Sequence, residues 1–155
     1  LLYLCFMQLI LHTYYGMHKE MKFHAFKNLY TEKYRVALGN EHSINIGELE
    51  ALILALQYFN RGYYRNCTIW VQQQKILDSI TDLNNCALDK RVCKIHEIIT
   101  SIEGKGRNIT ILKQESPNIP KTLITAIDKK KEELKREKIK KDRESKRKYK
   151  RKYKK

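Results

Sequence analysis

Residues 44–80, INIGELEALILALQYFNRGYYRNCTIWVQQQKILDSI, constrain the chain most, because their apolar pattern changes period once and sharply. Leu49, Leu52, Ile53, Leu56 and Phe59 recur at spacings of three and four, the stripe of a helix pressed on a core. Ala51, Ala55 and the leucines favour that helix, and Asn60 and Gly62 stop it. Cys67-Thr68-Ile69-Trp70-Val71 then brings β-branched and aromatic residues together, which predicts a short buried strand with Trp70 in the core. A helix feeding a buried strand is half of an α/β unit.

The flanks supply the rest of a sheet. Residues from about Leu4 to Tyr14 are dense in apolar side chains and predict a central strand, with a turn over Gly16 to Lys22. Residues 22–26 and 33–38 alternate polar with apolar, as half-exposed antiparallel strands do, and Asn28 and Gly39-Asn40 punctuate them. After Val71 the pattern predicts a short helix over 74–80 and a polar loop over 81–87. Val92, Ile95, Ile99 and Ile102 form a second helical stripe closed by Gly104 and Gly106. A strand over 108–112 and a helix from about Pro120 complete the order. Three strands followed by alternating helix and strand imply an α/β fold: a mixed five-stranded sheet with flanking helices.

At 155 residues the chain holds one domain and a tail. Residues 129–155 carry 17 Lys and Arg against 5 Asp and Glu, a net +12, whereas residues 1–128 carry 15 against 12, a net +3. The division expected is therefore a domain over 1–128 and a basic tail over 129–155. Such a run attracts polyanions through counterion release. Glu132, Glu133 and Glu137 pair with basic residues one turn away, which predicts a helix to about Asp142 and disorder beyond it. Within KRKYKRKYKK, the candidate nucleic-acid contacts are Lys146, Arg147, Lys148, Lys150, Arg151 and Lys152.

Cys5, Cys67, Cys86 and Cys93 form no C-x-x-C and no zinc spacing, so reduced thiols in an intracellular protein of nucleus or cytoplasm are expected. Asn66-Cys67-Thr68 and Asn108-Ile109-Thr110 match the glycosylation triplet but fall at predicted strands. The apolar run from Leu1 to Leu11 is too short to span a bilayer and lacks the features of a secretory signal. No membrane partner is expected, and the missing initiator Met suggests a piece of a longer reading frame. His12, His18, His24, His42 and His96 share no ligand spacing on one element.

With this order in place, the chain resembles the type 1 ribonuclease H domain, particularly the version at the end of non-LTR retrotransposon reverse transcriptases. Residues 42–51, HSINIGELEA, resemble the segment that leads into Ala-Glu-Leu-x-Ala at a helix start. Residues 68–74, TIWVQQQ, resemble the strand that ends in Ser/Thr-Asp-Ser-Gln, and the stretch from Pro117 to Lys129 resembles the loop and helix that carry the final Asp. The resemblance covers about residues 4–131.

That resemblance implies cleavage of the RNA strand of an RNA–DNA hybrid by two Mg²⁺ ions, held about 3.5–4 Å apart by four carboxylates. Glu48 stands at the helix position and Asp128 at the last-helix position. Gln72 stands where the fourth-strand Asp is expected, and the first-strand position falls near Tyr15. No Asp precedes Asp78, and Glu20 is the one acid near that turn able to substitute. Asn118 aligns with the family's flexible-loop His, while His96 lies on the preceding helix. The expectation is a degenerate ribonuclease H-like nucleic-acid-binding domain, with Glu48 and Asp128 vestigial, no cofactor, and Mg²⁺ only if active. The alternatives are an active hybrid ribonuclease, or a protein-interaction module whose basic tail is a nuclear address.

Overall fold

The structure is a computed structural model that describes residues 8–82, 89–115 and 118–153. Its strands are β1 (Gln8–His18), β2 (Met21–Asn28), β3 (Tyr34–Leu38), β4 (Asn66–Val71) and β5 (Asn108–Lys113). Its helices are α1 (Ile44–Arg61), α2 (Gln74–Thr81), α3 (Lys90–Gly104) and α4 (Lys121–Tyr153). The sheet order is β3-β2-β1-β4-β5, antiparallel from β3 to β1 and parallel from β1 to β5. This is the mixed five-stranded α/β sheet that the periodicities imply.

β1 is the axis of the sheet, and its two faces feed two cores. Leu9 and Leu11 pack with Leu52, Leu56 and Phe59 of α1 and with Ile69 and Val71 of β4. Tyr14 points the other way, into a smaller cluster with Phe23, Ala25 and Val36 and with Leu123 and Ile127 of α4. The period of two along a strand assigns these residues to opposite faces.

α1 ends where Gly62 follows it, and Arg107 completes the end from outside. The guanidinium donates to the carbonyls of Phe59 (2.7 Å), Asn60 (3.2 Å) and Tyr64 (2.9 Å) and lies 4.2 Å from the Phe59 ring centroid. Carbonyls that a helix terminus leaves without partners are thereby satisfied. Arg91 ties α3 to α1 through Glu50, Nε to Oε1 at 2.6 Å.

Three local expectations need correction. β1 does not turn at Gly16 but continues to His18, and the hairpin closes on Lys19 and Glu20, both at positive φ (47° and 63°). Two consecutive residues with positive φ suit the twist of a two-residue hairpin, although Lys-Glu lacks the usual Asn-Gly signature. Gly16 is a strand residue at φ 153°, paired with Phe23, whose ring lies 3.5 Å from where a Cβ would be. Trp70 is half-buried rather than core. It lies on the face opposite Ile69 and Val71, beside exposed Leu112 on β5, because α4 packs over the β1–β3 half of that face. The tail is helical through Tyr153 instead of disordered after Asp142, and α4 runs without a break through the 128–129 boundary.

Other readings hold in detail. Asn28 ends β2 and its Oδ1 accepts from the amide of Tyr30 (3.0 Å), so the residue that punctuates the sequence also builds the turn. Asn66 and Asn108, the two glycosylation-triplet asparagines, open neighbouring strands and bond each other at 3.0 Å. Cys67 is buried and free, its thiol pushed up to about 12 by burial, and Cys93 is also free. Cys5, Cys86, Pro117, the start of the expected first strand and most of the 81–87 loop lie outside the described residues. Among the described residues no helix is long and apolar enough to cross a membrane.

α4 provides a paired test of this packing, since Ile127 is fully buried and Ile139 is 53% exposed. Ile127→Ala is expected to cost about 2–5 kcal/mol in urea denaturation. Ile139→Ala is expected to stay within about 0.5 kcal/mol of the parent.

Candidate functional site

The C-terminal end of β4 meets the start of α1 beside β1, and three of the four sequence-predicted site positions converge there. Glu48 is the fifth residue of α1, beyond the first turn, and is completely buried. Its carboxylate therefore does not serve the helix terminus, as a first-turn acid would. It faces the turn that leaves β4.

Glu48 Oε1 accepts a hydrogen bond from the Gln72 amide and another from the Gln73 amide (3.1 Å), while Oε2 accepts from Gln73 Nε2 at 2.8 Å. Gln72 turns its own Nε2 to the Thr13 carbonyl on β1 at 2.9 Å, and Thr13 Oγ1 donates to the Trp70 carbonyl at 3.1 Å. Tyr15 completes the cluster by a side-chain hydrogen bond with Gln73, close enough to Glu48 to feel its charge. A Cβ placed on Gly47 would sit 3.5 Å from Tyr15 Cβ, so α1 begins directly over this part of β1.

Burial pushes the Glu48 carboxyl above its ordinary range, opposed by the hydrogen bonds from Gln72 and Gln73 and by Lys75. Burial and the negative charge of Glu48 also raise the Tyr15 hydroxyl, while the bond to Gln73 works the other way. Each group makes the charged form of the other less favourable.

Asp128 belongs to a different arrangement. It pairs with His18 Nε2 at 3.3 Å and Lys19 Nζ at 3.6 Å, and Lys131 Nζ donates to the His18 carbonyl at 3.2 Å. The sequence suggests pairing with the following lysines, Lys129 to Lys131; the observed side-chain partners are instead on the β1–β2 hairpin. Asp128 thus anchors α4 to that hairpin.

Mg²⁺ requires near-octahedral oxygen ligands, and a two-ion centre requires several carboxylates to offset its charge. The cluster around Glu48 presents one carboxylate, a phenol and primary amides, and the carboxylate already accepts three N–H bonds. Gln72 can contribute only a neutral oxygen. These residues do not fit a pair of divalent cations, and among the described residues no group of three or more His, Cys, Asp or Glu side chains is placed to hold a metal ion.

Gln73 is the site residue that the sequence conceals. The only signal is the run Gln72-Gln73-Gln74 leaving a buried strand, which says nothing about which amide turns inward. His18 and Lys19 are likewise invisible until the hairpin places them beside α4. His24 and His42, which share no element, come within 5.6 Å between ring centroids, and burial lowers the His24 pKa.

A second feature is basic. Lys33 just before β3, Arg35 on β3, and Lys129 and Lys130 of α4 line a groove of about 560 Å³, together with Glu32 and Glu133. From Glu132 to Lys152 every residue of α4 is exposed, including Lys146, Arg147, Lys148, Lys150, Arg151 and Lys152.

No protein-family model matches this chain, and no curated protein matches it by sequence. Among solved structures it is similar to the crystal structure of RNase H1 from the halophilic archaeon Halobacterium salinarum NRC-1. The two share 13% sequence identity with a TM-score of 0.56, over 70% of this chain and 86% of that one. The chain therefore has a ribonuclease H-like fold.

The buried carboxylate makes a stability prediction with a defined sign. Glu48→Ala strips three N–H donors of their acceptor and is expected to cost on the order of 3 kcal/mol in denaturant titration. Because the folded-state pKa of Glu48 lies above its ordinary value of 4.5, the folded protein holds the proton longer than the unfolded chain. The stability linked to this group is then greatest below pH 4.5 and is lost as pH rises toward the folded-state value. Glu48→Gln removes that dependence, so the stability difference between Glu48→Gln and the parent should grow in favour of Gln as pH rises through this window.

Proposed function

We propose that this chain is a ribonuclease H-like nucleic-acid-binding domain of retroelement origin that does not hydrolyse its ligand. The observation that carries the reading is the state of Glu48. Its carboxylate is engaged by the Gln72 and Gln73 amides and by the Gln73 side chain, with Tyr15 and Gln72 at the two remaining positions of the cluster. A hydrolytic centre needs that carboxylate free to ligate a cation, with further acids around it. Nucleic-acid binding is supported by the exposed distal part of α4, where six of the eight residues from Ser145 to Lys152 are Lys or Arg and none is acidic. The domain acts inside the cell, in nucleus or cytoplasm, and takes nucleic acid chiefly through the basic segment after residue 128. Retroelement origin is supported by the segments 42–51 and 68–74.

Incubated with an RNA–DNA hybrid and either Mg²⁺ or Mn²⁺, the purified full chain is expected to leave the RNA strand intact on a denaturing gel. Cleavage that disappears in Glu48→Gln would refute the reading. The combined substitution Tyr15→Asp with Gln72→Asp adds two carboxylates beside Glu48 and is expected to create Mn²⁺ binding detectable by calorimetry, absent from the parent.

A further inference from the structure

The distal part of α4 carries basic residues around its circumference, with Glu133, Glu137 and Glu144 along one flank, but its two kinds of cation are not distributed alike. Arg136, Arg143, Arg147 and Arg151 are its arginines, at spacings of seven, four and four. At about 100° per residue these fall within one sector of about 80°, a single face of the helix. Lysines occupy the whole circumference; Lys135, Lys138, Lys141 and Lys152 lie on the far side. From Glu132 to Lys152 the helix carries only Leu134, Ile139 and Tyr149 as apolar residues, and all are exposed. That is too little apolar surface to seat a helix in a lipid interface, which needs a broad apolar face opposite the charged one.

Lysine is a compact point charge, whereas arginine presents a planar fork that binds a phosphate or the guanine O6/N7 edge bidentately. An arginine face on an otherwise lysine-rich helix therefore has a direction, which a uniform polycation lacks. Arg136 to Arg151 spans about 22 Å of helix at a rise of about 1.5 Å per residue. A helix about 10–12 Å across fits the B-DNA major groove, which is about 12 Å wide, but not the deep, narrow major groove of A-form duplexes.

Given the nucleic-acid-binding reading above, on which it rests, we propose that the distal part of α4 docks in the major groove of duplex DNA, with Arg136, Arg143, Arg147 and Arg151 facing the groove. The RNA–DNA hybrid, whose geometry is A-form, is then the weaker ligand. The lysines on the other faces contribute long-range attraction without selecting a duplex form.

Fluorescence anisotropy with three labelled duplexes of one sequence, DNA–DNA, RNA–DNA and RNA–RNA, tests this on the full chain between about 50 and about 200 mM salt. The parent is expected to bind DNA–DNA at least tenfold more tightly than RNA–RNA. Two variants each remove four exposed charges: R136A/R143A/R147A/R151A and K135A/K138A/K141A/K152A. Alanine favours helix at all eight positions, and circular dichroism checks that the helix persists in both. The arginine variant should lose the DNA preference and lower the steepness of its log–log salt dependence on DNA by about 3–4. The lysine variant should weaken all three duplexes alike and keep the preference. Equal losses in the two variants, or equal binding of the three duplexes by the parent, would overturn groove docking and leave a nonspecific polyanion-binding helix. Failure to bind any duplex would remove the nucleic-acid-binding reading as well.

Discussion

Burial of β1 on both faces is the constraint on which the rest of the structure depends. It pairs with β2 over Leu11–His18 on one side and with β4 over Gln8–His12 on the other, so Leu11 and His12 are held from both sides. Leu9 and Leu11 require one apolar cover and Tyr14 another, which α1 and α4 provide. A strand buried in this way reads as a nearly continuous apolar run. It also determines where polar chemistry can exist, because Thr13 and Tyr15 follow Leu9 and Leu11 on the α1 face and meet the start of that helix and the end of β4.

At this junction a carboxylate is buried with no cationic partner at hydrogen-bonding distance among the described residues, and the fold answers with N–H donors. Glu48 accepts from two consecutive backbone amides and one side-chain amide, which joins α1 to the turn after β4. Those donors replace the hydration that burial removes, although desolvation still dominates and raises the pKa. Asp128 shows the opposite solution. It is partly exposed, has both a histidine and a lysine nearby, and its pairing holds a helix to a hairpin. Glu48 and Asp128 thus serve two separate structural junctions in this chain.

Most of the architecture was legible because it depends on local period. The change from three-and-four spacing in Leu49–Phe59 to the β-branched and aromatic run Cys67–Val71 marks α1 and β4, and the end of α1 and both ends of β4 fall within a residue or two of expectation. The hairpin position is hidden in the sequence because Gly16 resembles a turn signal, whereas Lys19-Glu20 does not. Trp70 looks like core from its apolar neighbours in sequence, but a buried strand need not be equally covered on both faces. The end of helix α4 was not legible either: propensity alone does not distinguish a charged helix from a charged coil, and no burial pattern after Ile127 marks a boundary.

For the site, the sequence by itself determined the inventory: one acid at Glu48, an amide at Gln72, a phenol at Tyr15 and no Asp before Asp78. Those identities limit the available charge whatever the fold. Only the tertiary structure decided that Gln73 turns inward to Glu48, that Tyr15 joins it, and that Asp128 goes to His18 and Lys19. Periodicity is a property of neighbours along the chain. The partners of these two carboxylates are chosen by strand register and helix approach, which bring together groups 24 to 110 residues apart.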